Sequence, residues 1–245
     1  MSRKILVSAG HNDGKDRGAS GNGYVEAIEA VKLRNATAQA LRNLSSPPFS
    51  SATNLQTAAT TTFGMPRPFS AGLGLAGGAI GPFARPYPAF SFAGSAASLV
   101  GSSAAAFGTP ALSQIEVLTD GAGDVNQVLK NAIALAKTAN IAIEYHFNAG
   151  PPSATGIEVL SLVGKKALAQ RLADAVRLAT GLKVRGSDSG WKSDSSGQHH
   201  RLGFCRAGGL VIEVCFISNA VDMAAYVCRS QAIVNNVARV LFDER

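Results

Sequence analysis

The sequence predicts an α/β fold, in which one domain is built on a mostly parallel, mixed sheet of about six strands flanked by helices. Short apolar runs rich in β-branched residues alternate with longer segments whose apolar residues recur at helical spacing, and this alternation is typical of βαβ units. Several of the apolar runs end in polar loops, as strands of parallel sheets do where α/β folds bind ligands. With 245 residues, 46% of them hydrophobic, the chain can bury one substantial core.

The first predicted strand, Lys4 to Ser8, leads into a polar loop that begins at His11. From about Asn22 to Leu44 apolar residues recur at helical spacing, and we expect Asn22 to cap this helix. Glu26 then falls in the first turn. Its carboxylate is expected to point back towards the loop that carries His11.

Residues 45–113 differ in composition from the rest of the chain. They hold eight of the ten prolines and only two charges, Arg67 and Arg85, so no regular helix of useful length is expected. The most apolar piece, Phe69 to Phe83, is shorter than the roughly 20 residues that span a bilayer. We predict a low-complexity insertion into a catalytic domain formed by 1–44 and 114–245. A loosely packed loop, a surface for self-association or docking, and membrane contact remain open as its role.

After the insertion the alternation of strands and helices resumes, and each element is again predicted from its apolar period. The predicted strands are Ile115–Thr119, Ile141–His146, Gly156–Leu162 and Leu210–Phe216. The predicted helices are 124–139, 165–180, which ends before Gly181, and 231–242.

The charge of the chain favours anionic partners, because the formal net charge is +7. Nucleic acid is not expected as a partner, because there is no dense Lys/Arg stripe with interleaved aromatic residues and no zinc-finger spacing. A cell wall rich in phosphate polymers would suit the same charge. The first apolar stretch is too short for a signal peptide, so we expect synthesis in a cytoplasm without a secretion signal.

Two histidines each end a predicted strand, His11 after Ile-Leu-Val-Ser-Ala-Gly and His146 after Ile-Ala-Ile-Glu-Tyr. If these strands are neighbours, both imidazoles lie on the same rim of the sheet. Glu26 would add a carboxylate oxygen. Two nitrogens and one oxygen form the open zinc coordination of catalytic sites, in which the fourth position is left to water or substrate. Each residue also has a structural alternative, as a hydrogen-bonded histidine or a solvated helix residue.

Glu213 lies within the apolar run Leu-Val-Ile-Glu-Val-Cys-Phe. An ionised carboxylate in a buried strand is unfavourable unless another group compensates its charge. Glu213 therefore either pairs with a buried Arg or Lys or belongs to a functional site. Beside zinc-bound water, Glu213 would accept a proton during attack and return it to the leaving amine.

A polar loop, 186–198, contains Trp191 and precedes His200 and Arg201. We expect this loop to line a substrate groove in which Trp191 stacks on a sugar. His200 or Arg201 would contact a peptide carboxylate or the developing oxyanion. Asn148, just past His146, would steady the site through its amide. An exposed, variable loop and a turn-forming Asn are the alternatives.

Four motifs follow one another along the chain: Ser8–His11 with Asp16–Ala19, Gly21–Glu26, His146–Ala149, and Glu213 with Phe216–Asn219. In this order they resemble the zinc-dependent N-acetylmuramoyl-L-alanine amidases of the amidase-3 type, which occur in bacterial cell-wall enzymes and phage endolysins. The resemblance implies that the zinc ligands are His11, Glu26 and His146 and that Glu213 is the catalytic acid/base.

The resemblance further implies that the chain cuts peptidoglycan between the lactyl group of N-acetylmuramic acid and L-alanine. The lack of a signal peptide and of a wall-binding repeat favours an endolysin that lyses the cell, with a wall-remodelling enzyme as an alternative origin. Two departures stand out: Arg17 occupies a position where the family commonly has proline, and the insertion is not part of the family's usual core. A zinc peptidase or deacetylase, and a structural protein on an amidase scaffold, are the other hypotheses.

Overall fold

The protein is described by a computed structural model that covers residues 2–12, 14–46, 114–195 and 202–244. The predictions for His200, for Arg201 and for nearly all of the insertion lie outside the described residues.

The predicted strands recur with bounds close to their predictions, whereas several helices differ in length from theirs. In chain order they are β1 (Arg3–Ala9), β2 (Ser20–Gly21), β3 (Tyr24–Val25), α1 (Glu26–Ser45), β4 (Ile115–Thr119), α2 (Leu129–Ala136), β5 (Ile141–Asn148), β6 (Glu158–Ser161), α3 (Lys166–Thr180), β7 (Trp191–Ser193), α4 (Gly203–Arg206), β8 (Leu210–Phe216) and α5 (Ala220–Asp243).

The described residues form a six-stranded sheet with the order β4-β1-β5-β8-β6-β7. The first four of these strands are parallel to one another. β6 then runs antiparallel to β8, and β7 runs parallel to β6. The predicted mixed, mostly parallel sheet is thus confirmed. Because β1, β5 and β8 are adjacent and parallel, their carboxyl ends meet at one edge of the sheet.

Helices cover both faces of the sheet, as predicted. α1, α3 and α5 pack on one face over a large apolar core that includes Ile5, Ile143 and Ile212. α2 and the short α4 cover the other face, where a smaller cluster joins Leu6 to Phe204 and other buried residues. The second face is therefore covered less fully, and it leaves room for a cavity.

The predicted cap of the first helix is wrong. Asn22 and Gly23 both have positive φ, 52° and 83°, and they form the two-residue turn between β2 and β3. Asn-Gly is favoured in such turns because both central residues need positive φ. The Asn22 amide donates to the Ile217 carbonyl (2.8 Å), and α1 begins only at Glu26, after Val25.

Two other helices differ in length from their predictions. α2 covers only 129–136 of the predicted 124–139, and α5 begins at Ala220 instead of residue 231. The Asn219 side chain caps α5 by accepting hydrogen bonds from the backbone N–H groups of Val221 (2.9 Å) and Asp222 (3.2 Å). No helix among the described residues is long and apolar enough to cross a membrane.

Replacing the α5 cap tests this boundary. Asn219→Ala is expected to lower the free energy of unfolding by about 1 kcal/mol, because two N–H groups of the first turn lose their acceptor. Urea denaturation measures the change. Asn235→Ala, an exposed position on the same helix, is the matched control and should change stability by less than about 0.5 kcal/mol. Equal effects of the two substitutions would contradict the capping role.

Candidate metal centre and active site

The site lies where one face of three parallel strands changes from apolar to polar. Across the strand pairs, Ser8 lies opposite Glu144, and His146 lies opposite Glu213. Two residues before Ser8 on β1, and on the same face, Leu6 packs in the smaller apolar cluster. Side chains two residues apart on a strand share a face, so the polar residues at these strand ends point to the same side.

His11, Glu26 and His146 converge at this edge. The Glu26 Oε1 atom is 3.2 Å from His11 Nε2 and 3.0 Å from His146 Nδ1. Each residue offers one ligand atom, and these atoms all lie within 4.8 Å of one another. Among the described residues, this is the one group of three or more His, Cys, Asp or Glu side chains with metal-binding geometry. The structure therefore brings together the three residues proposed from the sequence.

Two glycines make this close approach sterically feasible. A Cβ atom at Gly10 would lie 2.2 Å from His146 Nε2, and a Cβ atom at Gly18 would lie 2.6 Å from Glu26 Oε2. Gly18 also has φ +66°, a conformation that other residues rarely adopt. Larger residues at either position would push the candidate ligands apart.

Glu26 is held by both the histidines and the backbone. Its Oε2 accepts a hydrogen bond from the Ala19 N–H (2.7 Å), and its Oε1 accepts one from the Phe147 N–H (3.0 Å). Burial raises the pKa of Glu26, but the hydrogen bonds with His11 and His146 outweigh burial and hold its pKa far below the usual range. The lowered pKa therefore keeps Glu26 ionised at neutral pH.

Glu213 is almost completely buried, and its Oε2 atom has no hydrogen-bond partner among the described residues. Burial raises the pKa of Glu213 to about 7; His146 opposes this shift, and Glu26 and Glu158 add to it. A carboxyl group with a pKa near neutrality is suited to accept and return a proton.

A cavity of about 520 Å³ opens above these residues. His11, Glu26, His146 and Glu213 form part of its wall. The opposite flank is apolar and comes from α2, α4 and the residues just before them: Val128, Leu129, Ala132, Leu202 and Phe204. A mostly apolar cavity with a few converging polar groups is typical of a small-molecule or substrate site.

The other predicted contact residues lie in different places. Asn148 lines the cavity, and its Oδ1 accepts a hydrogen bond from the Ala149 N–H (3.0 Å). Trp191 lies in β7, the outermost strand of the sheet, and is not among the residues that line the cavity. Its indole N–H donates to Ser161 Oγ (3.0 Å), and Lys166 Nζ lies 4.7 Å from the ring centroid. The sugar-stacking role of Trp191 stays a prediction.

Sequence reasoning missed the buried arginine behind the site. The Arg34 side chain is fully buried and lies 3.4 Å from Asp120 Oδ1, and it donates to Asn126 Oδ1 (3.0 Å). The Asn126 amide in turn donates to the carbonyl groups of Ala9 and His11. Arg34 therefore anchors the loop that fixes the backbone at His11. In the sequence it is one basic residue on a helix that also carries Lys32 and Arg42.

Glu144 was also missed as a site residue. It is buried and lies two residues before His146 in an apolar strand. The signal that singled out Glu213, a carboxylate within a buried strand, applies equally to Glu144.

Comparison with known proteins confirms the resemblance at the level of structure. The chain matches no protein-family model and no curated protein sequence. It is similar to a solved structure from Neisseria meningitidis, provisionally identified as an N-acetylmuramoyl-L-alanine amidase, with 28% identity and a TM-score of 0.64 over 98% of this chain and 93% of that one. The structure shares its α/β fold with two further solved proteins.

One of these is the N-acetylmuramoyl-L-alanine amidase AmiC2 of Nostoc punctiforme, with 14% identity and a TM-score of 0.59 over 98% of this chain and 94% of that one. The other is the catalytic domain of the CD27L endolysin, which targets Clostridia difficile. It has 14% identity and a TM-score of 0.55 over 99% of this chain and 98% of that one. At this identity they show the common fold alone.

The close approach at Gly10 generates a prediction. Gly10→Ala is expected to weaken binding of a metal ion at the candidate centre by at least about tenfold, because the new methyl group displaces the His146 ring. Chelator competition measures the affinity. Gly14→Ala in the same loop is the control, since its Cβ would lie no closer than 3.4 Å to any neighbour. Equal affinities of the two variants would contradict the steric argument.

The buried Glu213 carboxylate generates a second prediction. Its pKa is raised from 4.5 to about 7 in the folded, metal-free protein, so folding becomes less favourable as the pH rises through this window. Glu213→Gln is therefore expected to stabilise the metal-free protein at pH 8 by up to about 3 kcal/mol, and the gain should vanish below pH 4.5. Urea denaturation across this pH range checks it. The exposed Glu116→Gln serves as control, and a pH-independent difference would refute the prediction.

Proposed function

We propose that this chain is a zinc-dependent N-acetylmuramoyl-L-alanine amidase that hydrolyses the bond between N-acetylmuramic acid and the L-alanine of the stem peptide. The observation that carries the proposal is the convergence of three ligand atoms beside a buried carboxylate that has a free oxygen. The likeness to N-acetylmuramoyl-L-alanine amidases supports the choice of substrate.

The donor set suits a catalytic zinc ion. His11 Nε2, His146 Nδ1 and Glu26 Oε1 supply two nitrogens and one oxygen, and three protein ligands are typical of catalytic sites that keep a fourth position open. When bound there, zinc would polarise the scissile carbonyl and lower the pKa of a bound water. The low pKa of Glu26 keeps its oxygen ionised and available as a ligand.

In this proposal Glu213 moves the proton. Its unpartnered Oε2 takes a proton from the attacking water as the new C–O bond forms at the lactyl carbonyl. The same oxygen then delivers this proton to the alanine nitrogen as the C–N bond breaks. The reaction consumes one water and releases a carboxylate and an amine. Burial in an apolar strand prepares Glu213 for this role, since it raises the pKa of the carboxyl group and so makes the carboxylate a stronger base.

Other features of the chain are consistent with a wall substrate. The net charge of +7 favours association with an anionic wall. The Asn148 amide would help to orient the substrate, since Asn148 lines the cavity. A phage origin and contacts by Trp191, His200 and Arg201 stay predictions.

Two other functions are tested by the same experiment. A zinc peptidase or deacetylase would use the same ligands, because the metal set does not identify the acyl group. A structural protein on an amidase scaffold would need no buried, unpartnered carboxylate in the middle of β8.

Purified cell walls provide the direct test. The zinc-loaded protein is expected to clear a wall suspension and to release L-alanine amino termini without new reducing sugars. Glu213→Gln should lower the rate by at least about 100-fold, because general acid–base catalysis is lost. Its zinc content should remain that of the wild type. New reducing sugars, or full activity of Glu213→Gln, would overturn the proposal. His146→Ala, which lacks one proposed zinc ligand, is the second control and should also fail to clear the walls.

A further inference from the structure

We propose that Glu144 is a positioning residue that fixes the imidazole of His146 for metal binding. The proposal rests on the proposed function only in taking the ion bound by His146 to be zinc. It concerns a residue that neither the sequence motifs nor the metal-binding cluster includes.

The geometry around His146 assigns different partners to its two ring nitrogens. Nδ1 faces the candidate metal centre, 3.0 Å from Glu26 Oε1. Nε2 faces away from it and lies 3.0 Å from Glu144 Oε1. A neutral imidazole that binds metal through one nitrogen carries its proton on the other. Glu144 Oε1 is placed to accept a hydrogen bond from Nε2–H, and this contact favours the tautomer that leaves the Nδ1 lone pair free for the ion.

Glu144 is itself held in place from behind. Its Oε2 is 3.1 Å from Ser8 Oγ, and Ser8 lies directly opposite it on β1. The Ser8 hydroxyl is also 2.7 Å from Asp120 Oδ2, and Asp120 pairs with the buried Arg34. A continuous row of buried polar groups thus connects Arg34 with His146. The row limits the positions that the Glu144 carboxylate can adopt.

The charge balance also favours a role in metal binding over a purely structural one. Glu158, another buried carboxylate of this sheet, pairs with both Arg185 and Lys192. Within the described part of the chain, the ion-pair partner of Glu144 is His146. A buried carboxylate needs compensating positive charge, and His146 with a bound cation supplies it.

His11 offers an internal comparison. Its Nδ1 lies 2.9 Å from Asp16 Oδ2, so both histidines pair with a carboxylate. The Asp16 side chain is 69% exposed, however, whereas that of Glu144 is 4% exposed. Solvent weakens the Asp16 interaction and can replace it. We therefore expect Glu144 to constrain its histidine far more strongly than Asp16 does.

The test measures zinc affinity of the full chain by chelator competition, without substrate. Glu144→Ala is expected to weaken zinc binding by about 10- to 100-fold. Glu144→Gln keeps an acceptor for the Nε2 proton and should lie between the wild type and Glu144→Ala. Asp16→Asn should change the affinity by less than about threefold. Nitrogen-15 NMR of the zinc-loaded wild type should show a protonated Nε2 at His146.

Thermal unfolding of the metal-free variants separates positioning from folding. Glu144→Gln is nearly isosteric and keeps hydrogen-bonding atoms at this position, so it should fold as the wild type does. Unchanged zinc affinity in both Glu144 variants would overturn the proposal, even if their stability fell. This outcome is distinguishable from failure of the proposed function, which would show as wild-type protein that binds zinc and leaves cell walls intact. A wild type that binds no zinc would overturn both.

Discussion

The hydrogen-bond register of β1, β5 and β8 is the constraint on which the site depends. It places Ser8 opposite Glu144 and His146 opposite Glu213, with all four side chains on one face. A slip of one residue would turn any of these strands over and move its polar side chains into the opposite apolar core. That core therefore enforces the register, because Ile143 and its neighbours on the other face are buried beneath α1, α3 and α5.

Much of this arrangement could be predicted from the sequence, because strand periodicity and strand-end residues are local signals. The bounds of β4 and β8 match their predictions, and His11, Glu26 and His146 meet as expected. The Asn22-Gly23 turn was missed, although Asn-Gly is a strong local signal, because helical spacing was extended back across it. Glu144 carries the same local signal as Glu213, a carboxylate within a buried strand, but only the register shows that it lies beside Ser8 and the site. The role of Arg34 could not be predicted locally, since its partners lie in a loop more than 80 residues away along the chain.

The electrostatics of the site favour a cation. Glu26, Glu144 and Glu213 are buried around two histidines, and Arg34, the buried cation nearby, is engaged by Asp120 and loop carbonyl groups. Burial opposes both shifts, but hydrogen bonds within this cluster outweigh it and lower the pKa of Glu26 and raise that of His146. In the metal-free protein, the raised pKa values of His11 and His146 favour protonation of the histidines beside these carboxylates. A divalent ion would replace those protons, so metal binding and proton release should be coupled.

The unequal covering of the two sheet faces explains why the site forms where it does. One face is sealed by three long helices, and the register buries its side chains completely. On the other face α2 and α4 are short, so the polar strand ends remain accessible beside an apolar flank that includes the buried Ala132 and Phe204. Such a flank excludes water and strengthens the interactions among the charged groups. The apolar flank and the buried carboxylates thus act together: without the flank, solvent would screen Glu213 and its pKa would return towards that of an ordinary carboxyl group.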